Sequence, residues 1–385
     1  MKKLTLVAIL IFTLVLSACG KSNNDGASNG GSASSPNASE SAGGSPAASG
    51  DGKGLKVVLL IPGVLGDKSF FDAANRGLQM IHDQLGATTK VIEMGTDKTK
   101  WEPTYTDIAS QDWDVIISGG SEISEVFNAT AAAHPEKKFI NYDTDVEETE
   151  PNLFAMTYAT NEVSFLAGAT AALTSTSGLP GTNPDKVIGF VGGMDIPGIN
   201  AFLVGYIEGA KYVVPDIKVA ISYAGDFGNP AKGKELSLIQ YNSGADIIFN
   251  VAGGTGLGIF DAAKEKKRFA IGVDSDQAML LKDTDSEKAN LIVTSAIKKI
   301  DQAIFNSVKK IQDGTLEFGK RQLMGFNEDG VGIAENEIYQ KVLSEEVRKQ
   351  IDDVKAKLVN KEIQVSNAMG METSAVEQLR NSVKP

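Results

Sequence analysis

From Leu55 onward the chain alternates short apolar runs with longer amphipathic ones, and this alternation constrains the fold more than any single motif. Val57–Ile61 reads as a buried strand, and Phe70–Leu85 as a helix with Leu78, Ile81 and Leu85 on one face. Strands are expected at Val91–Met94, Val115–Ser118, Phe139–Tyr142 and Leu153–Tyr158, with helical stretches between most of them. A second series begins with helix Glu162–Leu173, strand Val187–Val191, helix Ile199–Val213 and strand Val219–Tyr223. It continues with helix Ala231–Tyr241, strand Asp246–Val251, helix Leu257–Lys266 and strand Phe269–Val273. Runs this short, β-rich and apolar throughout belong to parallel strands covered on both faces. Two such series predict an α/β fold of two doubly wound lobes with about five strands each. Near the end, Leu291–Ser295 reads as another strand, and Lys298–Ile311 as a helix with Ile300, Ile304, Val308 and Ile311 on one stripe. A last helix is expected over about Glu335–Val359, and the polar stretch beyond Ser366 carries no pattern.

The chain of 385 residues is 42% hydrophobic, which suits about two globular domains. A net charge of −12 argues against nonspecific nucleic-acid binding, which needs basic patches. One cysteine excludes a disulfide scaffold and any zinc site built on paired cysteines. Two isolated histidines, His82 and His134, leave little for histidine-rich metal binding or histidine-dependent catalysis. No cofactor and no metal are expected.

The front end reads as an address. Lys2 and Lys3 precede an apolar run, Leu4–Leu16, of 13 residues. That is short for a bilayer span, which takes about 20 residues, and right for a targeting segment. The run ends in Leu16-Ser17-Ala18-Cys19, which resembles the bacterial lipobox, where the cysteine is lipidated on sulfur and becomes the new N-terminus. Residues 1–18 are therefore expected to be a lipoprotein signal peptide, with Cys19 lipidated. Residues 20–54 are almost entirely Gly, Ser, Ala, Asn and Pro. With Cys19 they form a flexible tether over 19–54, with an r.m.s. span of about 30–35 Å. The expectation is a lipid-anchored protein on the outer face of the cytoplasmic membrane.

In open sheets of this kind ligands bind at the carboxyl ends of strands. The residues there are polar or glycine: Gly66-Asp67-Lys68-Ser69-Phe70, Ser118-Gly119-Gly120-Ser121, Asp143, Gly192-Gly193, Ala252-Gly253-Gly254-Thr255-Gly256 and Asp274-Ser275-Asp276. Gly253–Gly258 is neither G-x-G-x-x-G nor a P-loop, so a turn opening a helix is the simpler reading. Asp143-x-Asp145 and Asp274-x-Asp276 lack the Gly and distant Glu of an EF-hand loop. No G-x-S-x-G elbow occurs, and neither histidine follows an expected strand.

Taken in order, several of these segments resemble the basic-membrane-protein family of substrate-binding lipoproteins, over roughly Val57 to Ala334. The markers are Gly66-Asp67-Lys68-Ser69-Phe70-Phe71-Asp72, then Gly192-Gly193-Met194-Asp195-Ile196-Pro197 with Phe202-Leu203-Val204-Gly205-Tyr206 and Gly209-Ala210. Ala252–Gly258, Gly272–Gln277, Thr294–Lys298 with Asp301, and Gly330-Val331-Gly332 complete the set. The resemblance implies the type I periplasmic-binding-protein architecture, two lobes joined by a hinge, with ligand between them. It divides the chain into one lobe over 55–158 plus about 291–318, a second over 159–290 plus about 319–361, and a polar tail over 362–385.

Carried over position by position, the resemblance implies aromatic faces for a nucleobase at Phe70 and Phe202. Polar contacts to the ribose fall to Asp67, Asp143, Asp274 and Lys298, with Gly254 letting backbone approach. One departure stands out: Phe71 occupies the place of the family's usual Asn. Either Asp72 takes over that contact, or Phe70 and Phe71 exchange roles, or the ligand differs from the usual purine nucleosides. The function the resemblance implies is capture of a nucleoside, of the purine class, by a monomer that delivers it to an ABC permease and its ATPase. A ligand-sensing lipoprotein of the same fold and a nucleoside-processing surface enzyme remain alternatives at this point; core packing for the phenylalanines and helix capping for Asp274 are the plainer roles to set beside them.

Overall fold

A computed structural model describes residues 54–385; the expected signal peptide, Cys19 and nearly all of the tether lie outside the described residues. The first series runs β1 (Lys56–Ile61), α1 (Phe70–Leu85), β2 (Thr88–Glu93), α2 (Trp101–Ala109), β3 (Val115–Ser118), α3 (Ser124–Ala133), β4 (Lys138–Asn141) and β5 (Leu153–Tyr158). Then come α4 (Thr160–Ser175), β6 (Val187–Gly192), α5 (Pro197–Val213), β7 (Lys218–Tyr223), α6 (Pro230–Asn242) and β8 (Ala245–Val251). They are followed by α7 (Leu257–Lys266), β9 (Phe269–Asp274), α8 (Gln277–Lys282), α9 (Ser286–Ala289) and β10 (Ile292–Lys298). The chain closes with α10 (Ile300–Gln312), β11 (Lys320–Met324), β12 (Val331–Ile333), α11 (Glu337–Val342), α12 (Glu345–Val359) and α13 (Thr373–Ser382).

Two six-stranded sheets result, in the orders β11-β5-β4-β3-β1-β2 and β12-β10-β9-β8-β6-β7. All pairings are parallel except β10 with β12. The α/β architecture of two parallel-sheet lobes therefore stands as expected. Central strands such as β3, β8 and β9 are buried at every position, because helices cover both faces of each sheet.

The division of the late segments differs from the expectation. Residues 292–298 belong to the second sheet, where Ala296 pairs with Val273, and not to the first lobe. The chain crosses only after Lys298, and α10 then packs on α1 of the first lobe. Residues 320–324 stay with the first lobe and pair with β5 in the first sheet, whereas the sequence assigns them to the second lobe. The strand β11 reads Lys-Arg-Gln-Leu-Met and is mostly exposed, so no buried apolar run announced it. The helix expected over 335–359 is two helices, broken at Leu343-Ser344, where Ser344 caps α12. The tail is also structured: α13 buries Val376, and the Val383 carbonyl accepts from the Val219 amide at 2.8 Å.

The lobes are thus joined by three crossings, after Tyr158, Lys298 and Met324. Backbone bonds tie the crossings together: Ala159 donates to Met324 at 3.1 Å and Lys299 to Gly330 at 2.9 Å. Within the second lobe α4 and α5 pack with backbones nearly touching. A Cβ on Gly209 would stand 1.9 Å from the Phe165 carbonyl oxygen, and one on Gly168 2.1 Å from that of Tyr206. Only glycine permits that crossing. No helix among the described residues is long and apolar enough to cross a membrane.

Candidate functional site

A cavity of about 550 Å³ lies between the lobes at the carboxyl ends of the strands, where this sheet architecture places ligand sites. Among the sequence-predicted residues, Asp67, Phe70, Phe71, Asp143, Phe202, Gly254, Asp274 and Lys298 all line it; Asp72 does not.

The loop from β1 into α1 is built on two carboxylates. Asp67 accepts from the amides of Ser69 (2.9 Å), Phe71 (2.9 Å) and Asp72 (3.1 Å). Burial raises its pKa, and those amides pull it back toward the ionised form. Asp72 in turn accepts from the amides of Gly66 and Lys68, each at 2.8 Å. Asp67 therefore satisfies amides of the first turn of α1 that no helical carbonyl reaches, while Asp72 ties the preceding loop to that turn. Asp72 is spent on the loop, so it does not replace the missing amide of position 71. The Phe71 ring lines the cleft and meets Phe70 edge-on at 5.5 Å, and Phe70 leans on Tyr142 at 5.2 Å.

The second lobe supplies Asp274 at the last position of β9. Its backbone is left-handed, with φ +61, a conformation rare outside glycine, asparagine and aspartate. The turn aims the buried carboxylate toward the first lobe, where the Ser69 hydroxyl donates to it at 2.5 Å. Ser275 and Arg76 add a second tie between the lobes at 2.8 Å. Burial pushes the Asp274 carboxyl up to about 6; Lys298 and the Ser69 hydroxyl oppose that rise, while Asp67 and Asp143 add to it. A helix-capping role does not apply, since Asp276 caps α8 through the Met279 amide.

Lys298 corrects the sequence reading of its element. It is the last residue of β10, paired with Val331 of β12, and not the start of a helix. It is buried, and its Nζ donates to Asp143 Oδ2 at 2.8 Å. Burial works against its charge, but Asp143 and Asp274 outweigh that and leave its pKa above the ordinary lysine value. The same ammonium lies 5.0 Å from the centroid of Phe202, 5.5 Å from Tyr158 and 5.7 Å from Phe70. One buried cation thus sits among rings from both lobes, with a carboxylate from each nearby. Gly254 faces the gap: a Cβ there would press on the Phe227 carbonyl at 3.2 Å and approach Asp67 Cβ at 3.8 Å.

Sequence reasoning missed several lining residues. Tyr158 is the last residue of β5, so its place at a strand's carboxyl end is a usable signal; Trp101 and Phe227 lie in segments that carry none. Met194 and Ile196 fall inside a quoted motif without having been singled out. Asn367 and Met369 come from the tail. No group of three or more His, Cys, Asp and Glu among the described residues could hold a metal ion.

Residues 55–368 match the Bmp family, described as ABC transporter substrate-binding protein PnrA-like. The chain is 32% identical over 313 residues to Basic membrane protein A of Borreliella burgdorferi, covering 80% of this chain and 86% of that protein. It is 34% identical over 227 residues to the ABC transporter nucleoside-binding protein BmpA of Lactococcus lactis subsp. cremoris, covering 56% and 62%. Among solved structures, a solute-binding protein of an ABC transporter system from Aeropyrum pernix K1 superposes with a TM-score of 0.76 at 23% identity, over 86% of this chain and 97% of that one. That likeness shows the fold. Sequence, architecture and cleft agree, and the chain belongs to the Bmp family of PnrA-like ABC transporter substrate-binding proteins.

Proposed function

We propose that this protein captures a purine nucleoside in the cleft between its lobes and delivers it to an ABC permease and its ATPase while anchored to the membrane through lipidated Cys19. The observation that carries the reading is Lys298: its buried ammonium lies beside Phe70 of one lobe and Phe202 of the other, with Asp143 and Asp274 within its field. Flat rings on two sides suit a purine, whose stacking is worth about 1–3 kcal/mol per base. Vicinal ribose hydroxyls are donors, and an ionised carboxylate is the strongest acceptor available to them.

With Asp67 and Asp72 engaged by backbone amides, the charged groups beside the rings are Asp143, Asp274 and Lys298, whose present partners are one another and the Ser69 hydroxyl. Two carboxylates against one ammonium repel a phosphate, so a neutral nucleoside fits better than a nucleotide. The nucleoside-binding relative from Lactococcus lactis supports the same ligand class. A thermal-shift screen over nucleosides, free bases, sugars, amino acids and nucleotides tests this. A ligand at 100 times its Kd stabilises the protein by about 2.7 kcal/mol. Purine nucleosides should give the largest shift; a larger shift with a sugar, amino acid or nucleotide would overturn the assignment.

A further inference from the structure

The cleft has a third wall that neither strand-and-helix series supplies. Beyond α12 the chain runs back over the second lobe and brings Asn367 and Met369 to the cavity. This segment is fastened from both sides. Asn161 of α4 donates its side-chain amide to the carbonyls of Val365 (3.0 Å) and Ser366 (3.3 Å). The Ser366 amide donates to Glu208 of α5 at 3.0 Å. Ala368 and Val376 are buried against Ala201 and Val204, so the segment packs on the same helix that carries Phe202.

Farther along, Arg380 of α13 grips the opposite end of that region. Its guanidinium donates to both carboxylate oxygens of Asp195, at 3.0 and 2.6 Å. It also lies 2.7 Å from the Asn200 side-chain oxygen and from the Tyr223 hydroxyl. Asp195 stands between Met194 and Ile196, both of which line the cleft. A planar fork on a carboxylate fixes orientation as well as distance, which a lysine cannot do. The family match ends at residue 368, so Met369 and Arg380 both lie beyond it.

We propose that the C-terminal segment is part of the ligand site. Met369 and Asn367 cover the bound ligand at the cleft mouth, and Arg380 is a positioning residue that holds Met194–Ile196 and the first turn of α5 against it. The proposal rests on the nucleoside reading above. Met369 is 40% exposed without ligand, and a flexible thioether adapts to whatever surface covers it.

The test is calorimetry of guanosine binding to wild type, Met369→Ala, Met369→Leu, Arg380→Ala, Asp195→Ala and the double variant Asp195→Ala/Arg380→Ala. Burying the exposed part of Met369 predicts a Kd about 3- to 8-fold higher for Met369→Ala, with Met369→Leu close to wild type. Arg380→Ala and Asp195→Ala should each raise Kd, and the double variant should raise it no further than either alone. The readout is affinity, which a merely stabilising contact far from the ligand would leave unchanged while lowering the melting temperature. Wild-type affinity in both Met369→Ala and Arg380→Ala overturns the proposal and leaves the nucleoside reading standing. Weakening in Met369→Ala alone upholds the wall and overturns the positioning role of Arg380. A wild type that binds no nucleoside overturns the earlier reading and this one with it.

Discussion

Nucleoside affinity should depend on pH through Asp274. Its carboxyl is raised to about 6, chiefly by burial. A raised carboxyl pKa means that the folded protein holds the proton more tightly than the unfolded chain does. Stability from this group is therefore present at low pH and lost as pH rises from about 4 through about 6. At neutral pH the buried charge costs up to about 3 kcal/mol, at 1.36 kcal/mol per pKa unit. A ligand whose hydroxyls donate to the carboxylate favours the ionised form and relieves part of that cost. If only that form accepts the ribose, the ionised fraction rises from about one in eleven at pH 5 to about ten in eleven at pH 7, and Kd falls about tenfold. Calorimetry with guanosine, which has no group titrating in this interval, reads the effect directly. Asp274→Asn is the companion variant, because asparagine tolerates the left-handed backbone at φ +61 and cannot titrate. Neither histidine lines the cleft. A Kd flat between pH 5 and 7, or an equal slope in Asp274→Asn, would refute the reasoning.

Three further outcomes follow from the same structure. Phe202→Leu, which keeps apolar bulk against Phe249 but removes the ring face, should weaken guanosine and guanine alike by about 1–3 kcal/mol, roughly 5- to 150-fold. An unequal loss would show that the ring does not stack on the base. Gly209→Ala should destabilise the fold by about 1–3 kcal/mol or more, because its Cβ would meet the Phe165 carbonyl at 1.9 Å, whereas Gly198→Ala in the same helix has open space and should cost nothing. Equal melting temperatures for the two variants would contradict the tight α4–α5 crossing. If, as proposed, acyl chains on Cys19 supply the attachment, Cys19→Ser should release the protein from the membrane fraction with its melting temperature unchanged; continued membrane fractionation would remove the lipid anchor from the account.

The interior strands were legible because burial on both faces favours apolar residues, so Val115–Ser118 and Leu153–Tyr158 announced themselves. The sheet edges were not. β11 is polar and exposed, and its membership of the first sheet depends on a partner far away in sequence. Lys298 was misread for a related reason: a lysine closing a strand looks like the start of the next helix until its buried ion pair with Asp143 is seen. Residues after strands proved the best guide to the cleft, since topology alone places them there. Their division of labour was hidden, because nothing in the local sequence distinguishes Asp67, turned onto three amides, from Asp274, turned into the gap. The tail wall was invisible, since its anchors lie 158 to 205 positions away along the chain.

A crystal structure of the protein grown with a purine nucleoside tests the central claim most directly. The account predicts the base between Phe70 and Phe202, with the ribose hydroxyls on Asp143 or Asp274 and Lys298 within hydrogen-bonding distance of the ligand. A nucleoside bound outside the cleft, or lying in it with its base away from both rings, would contradict the account.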